Sequence, residues 1–234
     1  MNARVIAMDV RFIRALAAGL ALLCCLFGAR AAMPACMSGD CMNGPGVYVF
    51  PDGSKYEGQF KDSKMNGAAT VTWPDGRKYT GDVKDSKKHG MGTFVFPDGK
   101  QYEGEYKDDK MTGKGIFTWP DKSRFEGEFD DGKFVKGVYI WPNGNKYEGQ
   151  FKDDKPNGYG ILYTIDGQTY SGEFKDGKRD GNGSVSYKDG STFMGTFKSD
   201  KKNGPGIMSY PNGQQKQLMW EDDRVVQPPA QPAK

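Results

Sequence analysis

Apolar and polar residues alternate along most of this chain, and the alternating segments recur about every 23 residues. The recurring segment is aromatic-x-Gly-x-apolar. Successive side chains of a strand point to opposite faces, so the aromatic, glycine and apolar residues share one face. A second segment in each unit places glycine and aromatics in alternate positions in the same way. This pattern predicts strands rather than helices. The units open at Tyr56, Tyr79, Tyr102, Phe125, Tyr147, Tyr170 and Phe193.

Two kinds of turn separate the predicted strands. The first is Pro-Asp-Gly, as at residues 74–76, which fits a type I turn followed by a glycine in the left-handed conformation. Lys122 replaces this glycine in one unit, and we expect it at positive φ. The second turn is longer and polar, as in Lys107–Gly113. The unit that begins at Phe125 is one residue short in this second turn, so the faces of its strands should be preserved.

The whole unit, Tyr-x-Gly-x-Phe-Lys-Asp-x-Lys-x-x-Gly-x-Gly-x-aromatic-x-aromatic-Pro-Asp-Gly, resembles the MORN repeat over residues 43 to about 213. The resemblance implies an all-β fold, an elongated single-layer ribbon of antiparallel β-hairpins with aromatics packed along one face. About fifteen or sixteen strands would give a ribbon of roughly 70–75 Å. We assign the array, a half repeat followed by seven registers and a degenerate end, to residues 43–220. Residues 221–234 are predicted to form a disordered tail.

The first 31 residues have the order of a secretory signal peptide. Arginines precede an apolar run at residues 15–29, and Ala29-Arg30-Ala31 is a small-x-small cleavage site. We therefore expect an exported protein, periplasmic or secreted; the alternative is a membrane anchor retained at the N-terminus. The net charge of the whole chain is +3, and residues 1–31 carry four Arg and one Asp, also +3, which leaves the rest neutral. Neutrality gives no support for a nucleic-acid partner and does not favour membrane association.

Residues 32–42 lie between this signal and the repeats and are expected to cap the array. They contain Cys36 and Cys41. An even number of cysteines in an exported chain favours a disulfide between them. The alternative is a lipid-modified Cys36, since Ala35 before it is small. Two thiols with no histidine nearby make a poor metal site.

The sequence offers no set of residues suited to catalysis. His89 is the single histidine, so no histidine-based triad or zinc motif can be assembled. The Asp108-Asp109 and Asp153-Asp154 pairs lack calcium-loop spacing and indicate solvated turns. Glutamates on the other face of the strands, with Lys or Arg ahead of each triplet, indicate a solvated surface with cross-strand ion pairs. We predict no enzymatic activity, no bound metal and no cofactor.

The aromatic face is the candidate binding surface. Fully exposed, it would exceed the apolar patch of a soluble monomer, so we expect packing across the hairpins to cover much of it. Resemblance to MORN proteins implies scaffolding, partner binding or lipid binding. We predict a non-enzymatic exported scaffold that mediates protein–protein interaction; the alternatives are binding of membrane lipid or glycan through the same face. The candidate residues are Tyr56, Phe60, Tyr79, Tyr102, Tyr106, Phe125, Phe129, Tyr147, Phe151, Tyr170 and Phe174.

Overall fold

The computed structural model describes residues 35–226, which form strands joined by short connections. Predictions for residues 1–34 and 227–234, including the signal peptide, lie outside the described residues. The eighteen strands are β1 (Ala35–Gly39), β2 (Pro45–Val49), β3 (Lys55–Lys61), β4 (Lys64–Thr72), β5 (Lys78–Lys84), β6 (Lys87–Val95), β7 (Gln101–Lys107), β8 (Lys110–Thr118), β9 (Arg124–Asp130), β10 (Lys133–Ile140), β11 (Lys146–Lys152), β12 (Lys155–Tyr163), β13 (Thr169–Lys175), β14 (Lys178–Ser186), β15 (Thr192–Lys198), β16 (Lys201–Ser209), β17 (Gln215–Glu221) and β18 (Arg224–Val226).

Every strand pairs antiparallel with its neighbours in sequence, so the order in the sheet follows the order in the chain. Within residues 35–226, β1 and β18 each pair on one side, which leaves the sheet open. At about 4.8 Å per strand the sheet extends about 80 Å. The predicted ribbon of hairpins is confirmed, with more strands than expected. The predicted tail began too early, because β17 reaches Glu221 and β18 follows.

The turn inside each unit contains two residues, and the prediction of a longer turn over Lys107–Gly113 was wrong. Strands β7 and β8 continue up to Asp108 and Asp109, whose φ values are 49° and 71°. Two residues at positive φ form a type I′ turn, which matches the twist of a hairpin. Gly113, which suggested the longer turn, lies in a bulge of β8 at a φ of 56°.

The unit that begins at Phe125 has 22 residues rather than 23, and the missing residue is in a bulge of β10 rather than in a turn. Phe134 pairs with Phe129 and Lys136 pairs with Glu128, so β10 has one extra residue against β9. In other units, such as β3 with β4, the second strand has two extra residues at this place. The register returns where Gly137 meets Gly127, and the faces of the strands are preserved as predicted.

The Pro-Asp-Gly turns that join successive units share one geometry. Gly76 has a φ of 92°, and its N–H donates to the carbonyl of Trp73 at 3.0 Å. Lys122 has a φ of 70°, and its N–H donates to the carbonyl of Trp119 at 3.0 Å. The expected positive φ at Lys122 is therefore observed, and the lysine has not rearranged the turn.

The core is a line of aromatic rings that lie over glycines on one face of the sheet. Tyr79 is fully buried and lies over Gly81 and Gly92, which pair across β5 and β6. A Cβ added at Gly92 would lie 2.5 Å from the Tyr79 ring, so a larger residue cannot be accommodated without displacing the ring. The Tyr79 hydroxyl donates to the carbonyl of Asp82 at 2.6 Å. The same bond, to the carbonyl three residues ahead, is made by Tyr56, Tyr102, Tyr147 and Tyr170.

Contacts between rings connect each unit to the next. Tyr102 meets Tyr106 of its own unit edge to face at 5.2 Å and Phe129 of the next unit at 4.9 Å. Equivalent contacts recur along the array as far as Phe193 with Trp220. Such pairs contribute beyond their buried area. Each hairpin is thus stabilised by its two neighbours, as in other repeat proteins.

Both ends of the described array depart from the repeat. Cys36 and Cys41 form a disulfide, as predicted, with their Cα atoms 6.0 Å apart. At the other end, Lys216 and Leu218 occupy the positions of the buried tyrosine and its glycine, while Trp220 covers Phe193. These replacements explain why the sequence pattern fades after residue 213.

Candidate functional site

The residues predicted to form the binding face lie together in the core. All eleven are buried; Tyr56 and Tyr147, for example, have no exposed surface. Burial raises the pKa of each of these two tyrosines to about 12, with the backbone at Asn66 and Gln150 opposing the rise. Their position assigns them to packing between hairpins. Whether the face binds a partner stays a prediction, and any contact must be made by other residues of that face.

A second line of aromatic residues on the same face remains half-buried. Each member directly precedes a turn between units. It follows, two positions earlier, an apolar residue that is buried or partly buried, and this spacing places both side chains on one face. We call this line the aromatic stripe. The sequence signal for this stripe is the aromatic residue before each turn, whereas the predicted binding face follows the Tyr-x-Gly-x-Phe segment and does not include it. Its members are Phe50, Trp73, Phe96, Trp119, Trp141, Tyr187 and Tyr210, with Thr164 in place of an aromatic in one unit.

Through the middle of the ribbon, the rings of the stripe are connected by the aromatic rings that lie between them on the same face. Phe96 lies 4.6 Å from Phe94 and 5.8 Å from Phe117 of the next unit. Trp119 lies 4.5 Å from Phe117 and 5.5 Å from Tyr139 of the next unit. Phe96 and Trp119 therefore pack against the residue two positions earlier and against the following unit. All members of the stripe keep part of their side chain in solvent.

Three cations on this face replace core residues. Lys88 occupies the repeat position of Met65 and Met111, and its Nζ lies 5.0 Å from the centre of the Phe94 ring. Burial lowers the pKa of Lys88, while the Asp109 carboxylate opposes that shift. Arg179 and Lys202 occupy the same position and lie over aromatic rings in the same way. These cation–π contacts are part of the packing at the base of the stripe.

The opposite face of the sheet carries acidic and basic residues. Lys55 pairs with Glu57 at 3.1 Å and Arg124 pairs with Glu126 at 2.7 Å. The predicted solvated surface is present, but these partners are two residues apart on the same strand rather than across strands. Pairing along the strand follows because alternate residues share a face. All of these side chains are well exposed, and their pairs add little to stability.

The acidic pairs in the turns have structural roles. The Oδ1 atom of Asp109 accepts a hydrogen bond from the N–H of Lys88 at 2.9 Å, and the Asp109 N–H donates to the Lys88 carbonyl at 3.0 Å. Asp154 accepts from the N–H of Phe134 in the same manner, at 3.1 Å. Among residues 35–226, no group of three or more His, Cys, Asp or Glu side chains could hold a metal ion. That part of the chain also contains no helix long and apolar enough to cross a membrane.

Comparison with protein families identifies the repeats. The MORN repeat model matches eight times, at residues 38–55, 56–76, 79–101, 102–124, 125–146, 147–169, 170–192 and 193–215. Comparison with curated proteins gives no match.

Solved structures give low similarity. The TCP10c domain of Sas-4 from Drosophila melanogaster is 14% identical, with a TM-score of 0.42 over 64% of this chain and 91% of that one. The TCP10 domain of CPAP from Danio rerio, in complex with a STIL peptide, is 19% identical, with a TM-score of 0.40 over 83% of this chain and 97% of that one.

Proposed function

Because the chain belongs to the MORN repeat family, we propose that it is a non-enzymatic exported scaffold that binds a protein partner along the aromatic stripe. The observation that carries the proposal is the stripe itself, whose half-exposed rings recur in successive units and are connected through Phe117 and Tyr139 in the middle of the ribbon. Aromatic side chains offer a large contact area at little cost in side-chain entropy. The eleven aromatic residues predicted from the sequence are buried in the core, so they cannot contact a partner.

The charge distribution favours a protein over an anionic membrane. Without the first 31 residues the chain holds 29 basic and 29 acidic residues, from 33 minus 4 and 30 minus 1. Each basic residue near an anionic membrane contributes about 1 kcal/mol of attraction, and neighbouring acids offset it. We expect weak binding or none to anionic vesicles at physiological salt. Binding that is tight and sensitive to salt would favour the lipid alternative.

Two features support export. The first 31 residues have the order of a signal peptide, and the disulfide between Cys36 and Cys41 suits an oxidising compartment. The non-enzymatic part of the proposal is supported by the turn aspartates, whose carboxylates hold neighbouring hairpins together rather than converging on a cleft.

Site-specific photocrosslinking in the native compartment tests the proposal. A benzophenone amino acid placed at Phe96 reports on the stripe, and the same group at Glu126 reports on the opposite face. We expect a discrete protein adduct from Phe96 and none from Glu126. Mass spectrometry of the adduct separates the alternatives. Lipid or glycan attached at Phe96 would contradict a protein partner and favour the corresponding alternative.

A matched pair of variants provides the control. Trp141→Thr copies the residue that another unit carries at this position, Thr164, so the fold should tolerate it. Glu148→Gln changes the polar face only. We expect Trp141→Thr to reduce the Phe96 adduct and Glu148→Gln to leave it unchanged, both with unchanged circular dichroism. The reverse result would contradict binding along the stripe.

A further inference from the structure

We propose that the stripe from Phe96 to Trp141 binds a proline-rich segment in the polyproline II conformation, and that the occupant is residues 227–234 of a second copy of this chain. The inference rests on the proposed function, that the stripe binds protein, and names the ligand. It draws on the spacing of the stripe, the chemistry of its indoles, and the sequence and position of the segment.

The spacing of the stripe matches the pitch of polyproline II. Successive stripe residues are two strands apart, which corresponds to about 9.6 Å across the sheet. A polyproline II helix advances about 3.1 Å per residue with three residues per turn, or about 9.3 Å per turn. A segment that runs across the strands would therefore place one residue in three on successive rings. Over three rings the mismatch stays below about 1 Å.

The stripe also offers hydrogen-bond donors of the right kind. The indole N–H groups of Trp119 and Trp141 are not buried, and no described residue accepts a hydrogen bond from them. An indole can only donate, and a proline-rich backbone presents carbonyl acceptors with few competing N–H donors. Aromatic-lined grooves that recognise polyproline II use this combination of ring stacking and donation.

Residues 227–234 read Gln-Pro-Pro-Ala-Gln-Pro-Ala-Lys. Pro229 and Pro232 are three residues apart, so polyproline II would place both rings on one side, about 9.3 Å from each other. This distance matches the spacing of about 9.6 Å between two successive residues of the stripe. Pro228 is four residues from Pro232 and falls on a different side. Residues 227–233 carry no charged side chain, which suits an apolar stripe.

The segment cannot reach this part of the stripe in its own molecule. Val226 ends β18, and Trp141, the nearest member of this part of the stripe, lies between β10 and β11, of which β11 is seven strands from β18. The distance across the sheet is therefore about 34 Å. Pro232 is six residues after Val226 and extends at most about 20 Å from it. Occupancy of the middle of the stripe must join two copies of the chain.

A peptide of residues 225–234, added up to millimolar concentration to protein that ends at Val226, tests the proposal directly. The protein is labelled with ¹⁵N so that each of its four tryptophans gives one indole N–H signal. We expect the signals of Trp119 and Trp141 to shift with saturation, while the signal of the buried Trp220 indole stays in place. Absence of any shift at Trp119 and Trp141 would overturn the proposal.

The register is tested by two peptides of equal proline content. The Pro228→Ala peptide keeps Pro229 and Pro232, three residues apart, and should bind within about 3-fold of the parent peptide. The Pro229→Ala peptide keeps Pro228 and Pro232, four residues apart, and should bind at least about 10-fold more weakly. Equal weakening by both changes would overturn the match between pitch and stripe.

Two protein variants separate the donor from the ring. Trp119→Phe copies Phe96, so it should fold, keep the ring and lose the donor. We expect it to weaken the peptide several-fold, and Trp119→Thr, which copies Thr164, to abolish binding. Unchanged affinity in both variants would overturn the proposal.

The full chain provides a further readout, and the result separates this proposal from the broader one. Sedimentation should show association of the full chain at high concentration that truncation after Val226 removes. If the peptide does not bind while the Phe96 photocrosslink still captures a protein, the segment proposal fails and the proposed function stands. If the photocrosslink also captures no protein, both fail.

Discussion

Replacement of Lys122 by glycine should stabilise the array, because Lys122 holds a backbone conformation that disfavours a side chain. Its φ is 70°, and the equivalent residues of the other seven turns are all glycine, with φ between 81° and 92°. The N–H of Lys122 makes the same hydrogen bond as the N–H of Gly76. The turn geometry is therefore retained at the expense of backbone strain.

The size of the effect follows from two opposing contributions. A side chain in the left-handed conformation costs about 1–2 kcal/mol relative to glycine. Glycine gains freedom in the unfolded chain, which reduces the benefit by about 0.4–1 kcal/mol. We expect a net gain of about 0.5–1 kcal/mol in the free energy of unfolding. For a chain of this size that corresponds to a rise of about 1–4 °C in Tm.

The reverse change at Gly76 is the matched control. A Cβ added at Gly76 would meet no atom within 4 Å, so Gly76→Lys introduces the strain of a positive φ without a steric clash. Thermal unfolding of both variants, followed by circular dichroism, should show a rise for Lys122→Gly and a fall of similar size for Gly76→Lys. A fall for both would show that contacts of the Lys122 side chain outweigh its backbone strain, and would refute the reasoning.

Four further predictions concern other parts of the molecule. Tyr147→Phe removes a hydrogen bond of 2.9 Å and should lower the free energy of unfolding by about 1 kcal/mol in denaturant titration; no change would contradict a role for the hydroxyl. Unreduced protein should show no reactive thiol at Cys36 or Cys41; two alkylated cysteines would exclude the bridge. Burial raises the pKa of Tyr56 from 10.0 to about 12, so the stability it contributes is complete below pH 10 and is lost as the pH rises through about 12; the free energy of unfolding should fall less over this range in Tyr56→Phe than in the parent, and an equal fall would contradict the shift. Mass spectrometry of the protein isolated from its native compartment should place its N-terminus within two residues of Ala31; an intact first methionine would favour the anchor.

The ribbon could be predicted from the sequence because its local and long-range signals agree. The Tyr-x-Gly triplet at Tyr79 shows which residues of its strand share one face, and a turn follows at a constant distance. The next triplet along the chain has the same pattern and the same distance to its turn. Lys122 could be assigned a positive φ for the same reason, since its turn is defined by seven other copies. The local pattern is sufficient to predict the sheet because each strand pairs with the next one along the chain.

The candidate surface could not be divided into core and stripe from the pattern alone. Tyr102 and Trp119 are both aromatic residues on one face, and only the packing of Tyr102 over Gly104 and Gly115 shows which of them is covered. The two-residue turn at Asp108 was missed because a glycine at positive φ occurs in bulges as well as in turns.

The pairing of every strand with its neighbour in sequence has a consequence for how the chain folds. β-proteins usually fold slowly because distant segments must meet before any stability is gained. Here a hairpin closes across two residues, and the next strand needs only the one before it. The ribbon can therefore grow by adding one hairpin at a time from any unit that has formed. A chain that emerges gradually from a narrow channel would fold from β1 onward without waiting for its C-terminus, and we expect refolding to speed up little when C-terminal units are deleted.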